Sequence, residues 1–447
     1  MTKKVYIRTM GCQMNLYDSD KMLSLLEKEG YELCDDPESA ELILFNTCSV
    51  REGAANKLRS ALGRTAALKK KNKGLIVAVA GCVPATEGEK LKKFHSPPDI
   101  LITPDTISSI GELLKRARNG GRRRSALEAE QTDSEYLFPP PELKPQKVNP
   151  VAYVAVTKGC DNFCSYCIVP YARGREESRD PNEIITEAKT LIDAGAKEII
   201  LIGQNVNSYS RPDKGYPTFP KLLREVSKIE GLKRLRFVTS HPRDFDCKLA
   251  ETFAEIEILC PYLHLPPQSG SDRILAAMNR GYTAGEYLKK IEMVRALRPD
   301  IALSGDIIVG FPGETDADFK ATLELVKAVE FDMTYAFKYS PRPKTAAAKL
   351  EDSVPLEIKQ NRLAEIFSLC NDIMLYRAEN FYSGKEVNVL VEGVSSNNPS
   401  RWQGRTAHNK VVNFENTICA KAGDIAAIKI TSVETHSLLG VSVKRVT

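Results

Sequence analysis

No stretch of about 18 consecutive apolar residues occurs in this chain, so no segment is expected to span a membrane. The N-terminus, MTKKVYIRTMGCQMN, has neither the apolar core nor the cleavage site of a signal peptide and opens as a short strand. No repeat of solenoid period is visible. Charge of one sign is also scarce: the formal net charge is only +5, which permits a polyanionic partner without demanding one. A cytoplasmic protein is expected. In that compartment thiols stay reduced, so clustered cysteines point to metal or catalysis rather than to disulfides.

Cysteine itself is sparse, at 11 in 447 residues. Yet KGCDNFCSYC holds three of them, Cys160, Cys164 and Cys167. Chance produces a Cys-x3-Cys-x2-Cys triplet in roughly 0.7% of chains with this cysteine content. A structural zinc site would want a fourth Cys or His at short spacing, and the nearest downstream histidine is His241. Three thiolates on one loop suit three irons of a [4Fe–4S] cluster, leaving the fourth iron open to a small molecule.

Three regions are expected. Residues 1–119 alternate apolar strands (KVYIRTM, ELILFNTCSV, GLIVAVAGCV) with amphipathic helices, the pattern of a parallel α/β sheet. Residues 120–149, rich in Pro, Gly and Arg, read as a linker or wrapping loop. Residues 150–376 alternate about six strands with helices, as a full or partial (β/α) barrel does, with chemistry at the C-terminal strand ends. A long helix leads out, and residues 380–447 carry short strands with turns between them, a small all-β barrel.

Cys12, Cys48 and Cys82 each follow a predicted strand, in TMGC, FNTC and VAGC. Parallel strand ends converge on one edge, so these three either share one site or are buried as small hydrophobes. Cys34, Cys247, Cys260, Cys370 and Cys419 have no matching partners and read as structural. His241 lacks the partners of a triad, and packing or hydrogen bonding is its expected role.

GCQMNLYDSD, NTCSVREGAANK and GCDNFCSYCIVPYARGREESR together resemble the radical S-adenosylmethionine (SAM) methylthiotransferases, and the resemblance covers nearly the whole chain. It implies an N-terminal methylthiotransferase domain, a radical SAM barrel and a C-terminal TRAM domain. It implies a SAM-binding [4Fe–4S] cluster on Cys160, Cys164 and Cys167, and an auxiliary [4Fe–4S] cluster on Cys12, Cys48 and Cys82. Two SAM molecules are then used per turnover: one methylates a cluster-borne sulfur, the other is cleaved to the radical that takes hydrogen from C2 of adenosine 37. GCQMN and NTCSVRE look most like the branch that acts on N6-isopentenyladenosine; other branches modify threonylcarbamoyl-adenosine or a ribosomal protein. From another class, a non-catalytic RNA-binding protein with a structural cluster is the competing reading. One departure stands after the third cysteine, where Val83-Pro84 replaces the small or Met residue and Ala expected there.

The resemblance carries further residues. Gly203, Gln204 and Asn205 in LIGQN, Asp306 and Gly310 in SGDIIVGF, and Arg175 are candidates to contact SAM. Gln268 and Ser269 in PPQSG are candidates to line the cavity, and Arg173 to meet substrate or RNA. Trp402, Arg405, Lys410 and Phe414 are candidates for RNA contact on the small barrel. Each has a plain alternative: a polar turn, a helix cap, a salt bridge or a core aromatic. The expected partners are the anticodon stem-loop of a tRNA with isopentenylated A37 and an electron donor of flavodoxin or ferredoxin type. A monomer is expected.

Overall fold

In the computed structural model, residues 3–49, 52–119, 127–128 and 138–446 are described. Val50 and Arg51, quoted in the resemblance, and most of the first half of the expected linker lie outside the described residues.

The first strands, β1 (Lys3–Met10), β2 (Tyr31–Leu33), β3 (Leu42–Thr47), β4 (Ile76–Gly81), β5 (Ile100–Ile102) and β6 (Leu127–Glu128), form one parallel sheet in the order β2-β1-β3-β4-β5-β6. The near-continuous apolar strands are buried on both faces, as a parallel sheet requires. Leu42, Leu44, Ala78 and Ile100 pack under α1 (Gln13–Lys28) and α4 (Ile110–Asn119). Ile43, Phe45, Val77 and Val79 pack with Leu58 and Leu62 of α2 (Glu52–Lys71) and Leu91 of α3 (Cys82–Lys92). Pro84 falls in the first turn of α3, where its missing N–H costs nothing. β6 comes from the stretch read as a linker, so part of that stretch extends the sheet.

The middle region is an open barrel. VAYVAVTKG is split into β7 (Val151–Ala155) and β8 (Thr157–Lys158), the latter paired antiparallel with β9 (Glu177–Ser178). Between them lie the cysteine loop and a short helix, α5 (Val169–Arg173). Parallel strands β10 (Glu198–Ile202) and β11 (Arg234–Phe237) continue from β7, and a bridge at Leu235–Leu259 leads to β12 (Tyr262–His264), β13 (Ala302–Val309) and β14 (Met333–Lys338). Helices α6 (Pro181–Asp193), α7 (Phe219–Val226), α8 (Cys247–Glu255), α9 (Asp272–Ala277), α10 (Ala284–Leu297) and α11 (Asp316–Val329) connect them. Asp180, Asp246, Ser271, Thr283 and Thr315 each cap a helix with a side-chain oxygen.

The long helix α12 (Leu356–Tyr382) crosses the boundary expected at 376–380: Ile366, Cys370 and Met374 pack on the open barrel, whereas Ala378 and Tyr382 join the core of the last module. That module is a closed barrel, β15-β16-β17-β19-β18, built from β15 (Glu386–Val394), β16 (Trp402–Thr406), β17 (Val411–Glu415), β18 (Ile425–Val433) and β19 (Ser437–Arg445). Buried Arg234 and Arg236 of β11 anchor it by donating to the carbonyls of Arg405, Asn388 and Ala407.

The N-terminal module meets the open barrel through α1. Met14 and Tyr17 pack on Ala155, Ile200 and Ile202, the face of β7 and β10 turned away from the outer helices. The second half of the expected linker wraps this seam: Leu143 is buried, and Phe138 stacks on the Arg179 guanidinium. No described helix is long and apolar enough to cross a membrane.

Candidate active site

Strand register gathers the three N-terminal cysteines. Met10 lies opposite Thr47, and Thr47 opposite Gly81. Cys48 and Cys82 follow that row by one residue and Cys12 by two, so all three leave the same sheet edge. Cys12 caps α1 and Cys82 begins α3. Two buried asparagines lie beneath them. Asn15 donates to Asn46 Oδ1 (2.9 Å) and to the Thr47 carbonyl (3.2 Å), and its Oδ1 accepts from the Cys12 amide (3.2 Å) and thiol (3.4 Å). Asn46 donates to the Asn15 carbonyl (2.7 Å) and Ser19 Oγ (3.0 Å). Gly81 sits at φ 95°, and a Cβ there would lie 2.4 Å from the Thr47 carbonyl oxygen and 2.5 Å from Asn46 Oδ1. Only glycine fits that position.

The charges there are arranged for thiolates. A hydrogen bond from Cys48 and the charge of Arg173 pull Cys12 down to about 6, against burial. Burial pushes the Cys82 thiol up, and Arg173 opposes it by charge and by a hydrogen bond. Arg173 was expected to meet substrate or RNA. It is instead buried, paired with Asp18 at 2.7 Å, because α5 carries it across the seam to the N-terminal cysteines.

The second set lies at the C-terminal end of the open barrel, after β7 and β8. The Cys160 amide donates to the Gly174 carbonyl (3.3 Å). Asn279, at φ 57°, donates to the carbonyls of Asn162 and Phe163. Arg280 is 3% exposed and donates to Cys164 Sγ (3.4 Å), Tyr282 OH (3.0 Å) and the Pro266 carbonyl (2.9 Å). His241 Nε2 lies 3.9 Å from the same sulfur. Its Nδ1 accepts from the Arg243 amide (3.2 Å), so Nε2 carries the proton and faces Cys164. Burial and the charges of Arg280, Arg243 and Lys290 hold this imidazole neutral, down to about 2. Burial raises Cys160 to about 11 and Cys167 to about 12. Buried thiols of this kind ionise only on binding a metal, which deprotonates them outright. No described group of three His, Cys, Asp or Glu closes around a single ion. An iron–sulfur cube makes no such demand, since each thiolate binds a different iron. Both donor sets, all-thiol with a buried arginine beside them, fit that group.

The remaining expected residues are placed unevenly. Gln204 Oε1 accepts from the Gly159 amide at 2.6 Å, which ties β10 to the cysteine loop. A Cβ on Gly203 would lie 2.0 Å from Thr157 Oγ1. Asn205 donates to Asp244 at 2.7 Å, while its own Oδ1 is buried without a partner. Asp306 is part-exposed, 3.8 Å from His264 Nε2. Gly310 does not open toward a ligand: Lys359 fills the space a Cβ would take, and Glu314 accepts from its amide. Arg175 points outward, against Asp161 and the Phe163 ring. Gln268 bridges to β13 at φ 69°, and buried Ser269 contacts Thr322, so both organise the loop before α9.

Two of the expected RNA contacts, Phe414 and Lys410, are corrected by burial, and Trp402 is part-exposed. Phe414 is fully buried and Trp402 packs on the same barrel core, because β16 and β17 turn alternate residues inward. Lys410 is also buried, donating to the Thr435 carbonyl at 2.6 Å. Arg405 is part-exposed and paired with Glu392.

Asn15, Asn46, Asp18, Asn279 and Arg280 escaped the sequence reading. Asn15 and Asp18 stand in GCQMNLYDSD and Asn46 opens NTCSVREGAANK, so these three lay inside the stretches that carried the resemblance.

Three family descriptions match: "Uncharacterized protein family UPF0004" over residues 4–103, "Radical SAM superfamily" over 154–326 and "TRAM domain" over 380–443. Among solved structures, the radical SAM methyltransferase TsrM from Kitasatospora setae is similar at TM-score 0.57 and 17% identity, covering 78% of this chain and 77% of that one. The cobalamin-dependent radical SAM enzyme OxsB is similar at TM-score 0.53 and 12% identity, covering 83% and 58%. These likenesses speak to the fold alone. Curated relatives are much nearer. A tRNA-2-methylthio-N(6)-dimethylallyladenosine synthase of Syntrophus aciditrophicus is 43% identical over 98% of this chain and 94% of its own length. One of Neisseria meningitidis is 44% identical over 98% and 99%. Membership of the radical SAM superfamily brings a [4Fe–4S] cluster and SAM. With identity at that level over nearly the full length of both chains, this protein belongs to the tRNA-2-methylthio-N(6)-dimethylallyladenosine synthase family.

Proposed function

We propose that this chain converts N6-isopentenyladenosine at position 37 of tRNA to its 2-methylthio derivative. The observation that carries the reading is the row Met10–Thr47–Gly81, which brings three cysteines to one sheet edge. Arg173, on the helix that follows the second cysteine loop, reaches that edge. In this reading Cys160, Cys164 and Cys167 hold the SAM-binding cluster, and Cys12, Cys48 and Cys82 hold an auxiliary one. When bound, these groups supply an electron that splits one SAM and a sulfur methylated by another, the methylthio group replacing hydrogen at C2.

The chain's own residues do the rest. The 1–119 region presents the auxiliary cysteines, residues 138–149 of the 120–149 segment wrap the seam, the 150–376 barrel presents the SAM-side cysteines, and the 380–447 module closes the far end. Arg173 and Arg280 place fixed positive charge beside buried sulfurs. Gln204 and Asn279 fix the backbone of the cysteine loop. Asn205 Oδ1 and Asp306 are the acceptors left to meet the amino and hydroxyl groups of SAM. The partners are the anticodon stem-loop of an isopentenylated tRNA and a flavodoxin- or ferredoxin-type reductant. The protein works as a cytoplasmic monomer.

Anaerobic iron and sulfide quantification tests this. Two clusters give about eight irons in the reconstituted chain, and a Cys160→Ala/Cys164→Ala/Cys167→Ala variant keeps about four. The full chain, given isopentenylated tRNA, SAM and a reductant, yields the 2-methylthio nucleoside by mass spectrometry. Loss of all iron from the triple variant would remove the auxiliary cluster and, with it, sulfur insertion.

A further inference from the structure

Arg173 occupies an unusual position. It ends α5, six residues after Cys167, and the next carbonyl, Gly174, accepts from the Cys160 amide at 3.3 Å. Its backbone is thus fixed to the SAM-side cysteine loop. Its side chain ends in the other module, donating to Asp18 at 2.7 Å, and α5 packs on α3, the helix that Cys82 begins. Arg173 and Asp18 are 4% and 5% exposed, so little water screens the charge. Asp18 lies on α1, six residues after Cys12, the helix that Cys12 caps. One ion pair therefore joins the two cysteine-bearing elements and places a permanent cation beside the N-terminal thiolates.

We propose that the Arg173–Asp18 pair sets the reduction potential of the cluster held by Cys12, Cys48 and Cys82, Arg173 raising it and Asp18 restraining it. This rests on the auxiliary-cluster reading above. The physical basis is simple. Reducing a cluster adds one negative charge to it. A nearby cation and an N–H···S hydrogen bond favour the reduced form, and a nearby anion disfavours it. Arg173 contributes the cation. Asp18 offsets part of the charge while orienting the guanidinium by a charge-assisted bond. Arg173 is a positioning and electrostatic residue here; it need not touch substrate.

The opposed signs make the idea testable in the full chain. The background is the Cys160→Ala/Cys164→Ala/Cys167→Ala variant, so that one cluster alone is titrated, and the readout is an EPR-monitored redox titration with parallel iron counts. Arg173→Gln is expected to shift the midpoint to more negative potential. Asp18→Asn, which leaves the cation unopposed, shifts it to more positive potential. Arg173→Lys, which keeps the charge and loses the forked geometry, falls between Gln and the parent. A merely structural pair would lose iron in both variants or move both midpoints the same way, and either result, or no shift with iron retained, overturns the proposal. If Arg173→Gln loses its iron, Asp18→Asn decides by sign alone. If the parental background holds no iron at all, the auxiliary-cluster reading has failed, and that outcome is separable from a failure of the pair.

Discussion

Glu187 is the residue whose loss should cost the seam between the two cysteine-bearing modules most. It is 1% exposed on α6 and meets two cations: Lys21 of α1 at 2.7 Å and Arg179, with Tyr17 OH donating to it at 3.3 Å. Lys21 and Arg179 are themselves 4% and 0% exposed. Glu187→Ala therefore leaves two cations in a site nearly closed to water. Lys21 can shed its proton, since burial already lowers it. Arg179 cannot, and keeps only Glu183, which is half-exposed, and neutral partners. Breaking a buried pair by removing one member costs about 3–5 kcal/mol. At a urea slope of about 2–3 kcal/mol/M this is a shift of roughly 1–2.5 M. The assay has an internal control. The single tryptophan, Trp402, packs in the C-terminal barrel and reports that module by fluorescence, whereas far-UV circular dichroism follows the helices elsewhere. Glu187→Ala should lower the circular-dichroism midpoint and leave the Trp402 midpoint in place. Adding Lys21→Met should recover part of the loss, because one stranded cation is then gone. A shift below about 0.4 M, under about 1 kcal/mol, would show that the network contributes nothing to docking.

Further outcomes are open to direct measurement. Gly81→Ala, at φ 95° with Thr47 and Asn46 inside 2.6 Å of the new Cβ, should lower stability by about 2–4 kcal/mol and lower iron content in the Cys160→Ala/Cys164→Ala/Cys167→Ala background, whereas Gly53→Ala, which meets nothing within 4 Å, should change neither. Arg280→Met removes a donor to Cys164 Sγ and should make the SAM-side cluster harder to reduce, read by redox titration in a chain lacking Cys12, Cys48 and Cys82. Phe414→Leu should leave tRNA affinity within about twofold in a filter-binding assay, because the side chain is core; a base-stacking platform would lose about 1–3 kcal/mol.

What could be read from the sequence follows the range of the forces involved. The six cysteines were visible because their positions are set locally, by strand ends and by a short loop. The parallel sheets were visible because burial on both faces writes continuous apolar runs into β3 and β4. Arg173 was misread because nothing local says where a guanidinium six residues past a cysteine loop will go. Its place is fixed by the docking of α1 on β7 and β10, contacts between residues about 140 to 190 apart that leave no periodic trace. Lys410 and Phe414 failed for a related reason. In a five-stranded barrel alternate residues turn inward, and a one-residue change of register exchanges the two faces. Composition supplies the aromatics and the lysine, but pairing decides which side they take, and here Trp402 lies opposite Phe414 across β16 and β17.

In the proposed reading, the same long-range contacts make the two cysteine sets one device rather than two adjacent domains. Each set leaves the C-terminal ends of parallel strands, the edge where loops are free to vary without disturbing a core. Two such edges usually face solvent independently. Here α1 carries Cys12 at its start, Asp18 one and a half turns on, and Lys21 beyond that, and all three sit at the seam. A rotation of the N-terminal module that freed Asp18 from Arg173 would also pull Lys21 from Glu187, stranding Asp18, Arg173 and Lys21 at once while Glu187 keeps Arg179. The ionic contacts therefore fix orientation more than they add net stability, since desolvation offsets most of their attraction. Replacing Asp18, Lys21, Arg173, Arg179 and Glu187 together by apolar residues of similar volume should leave the melting temperature nearly unchanged. The loss should fall instead on methylthiolated product per SAM cleaved, as the modules lose their shared register. A quintuple variant with wild-type coupling between SAM cleavage and product would refute this account of the seam.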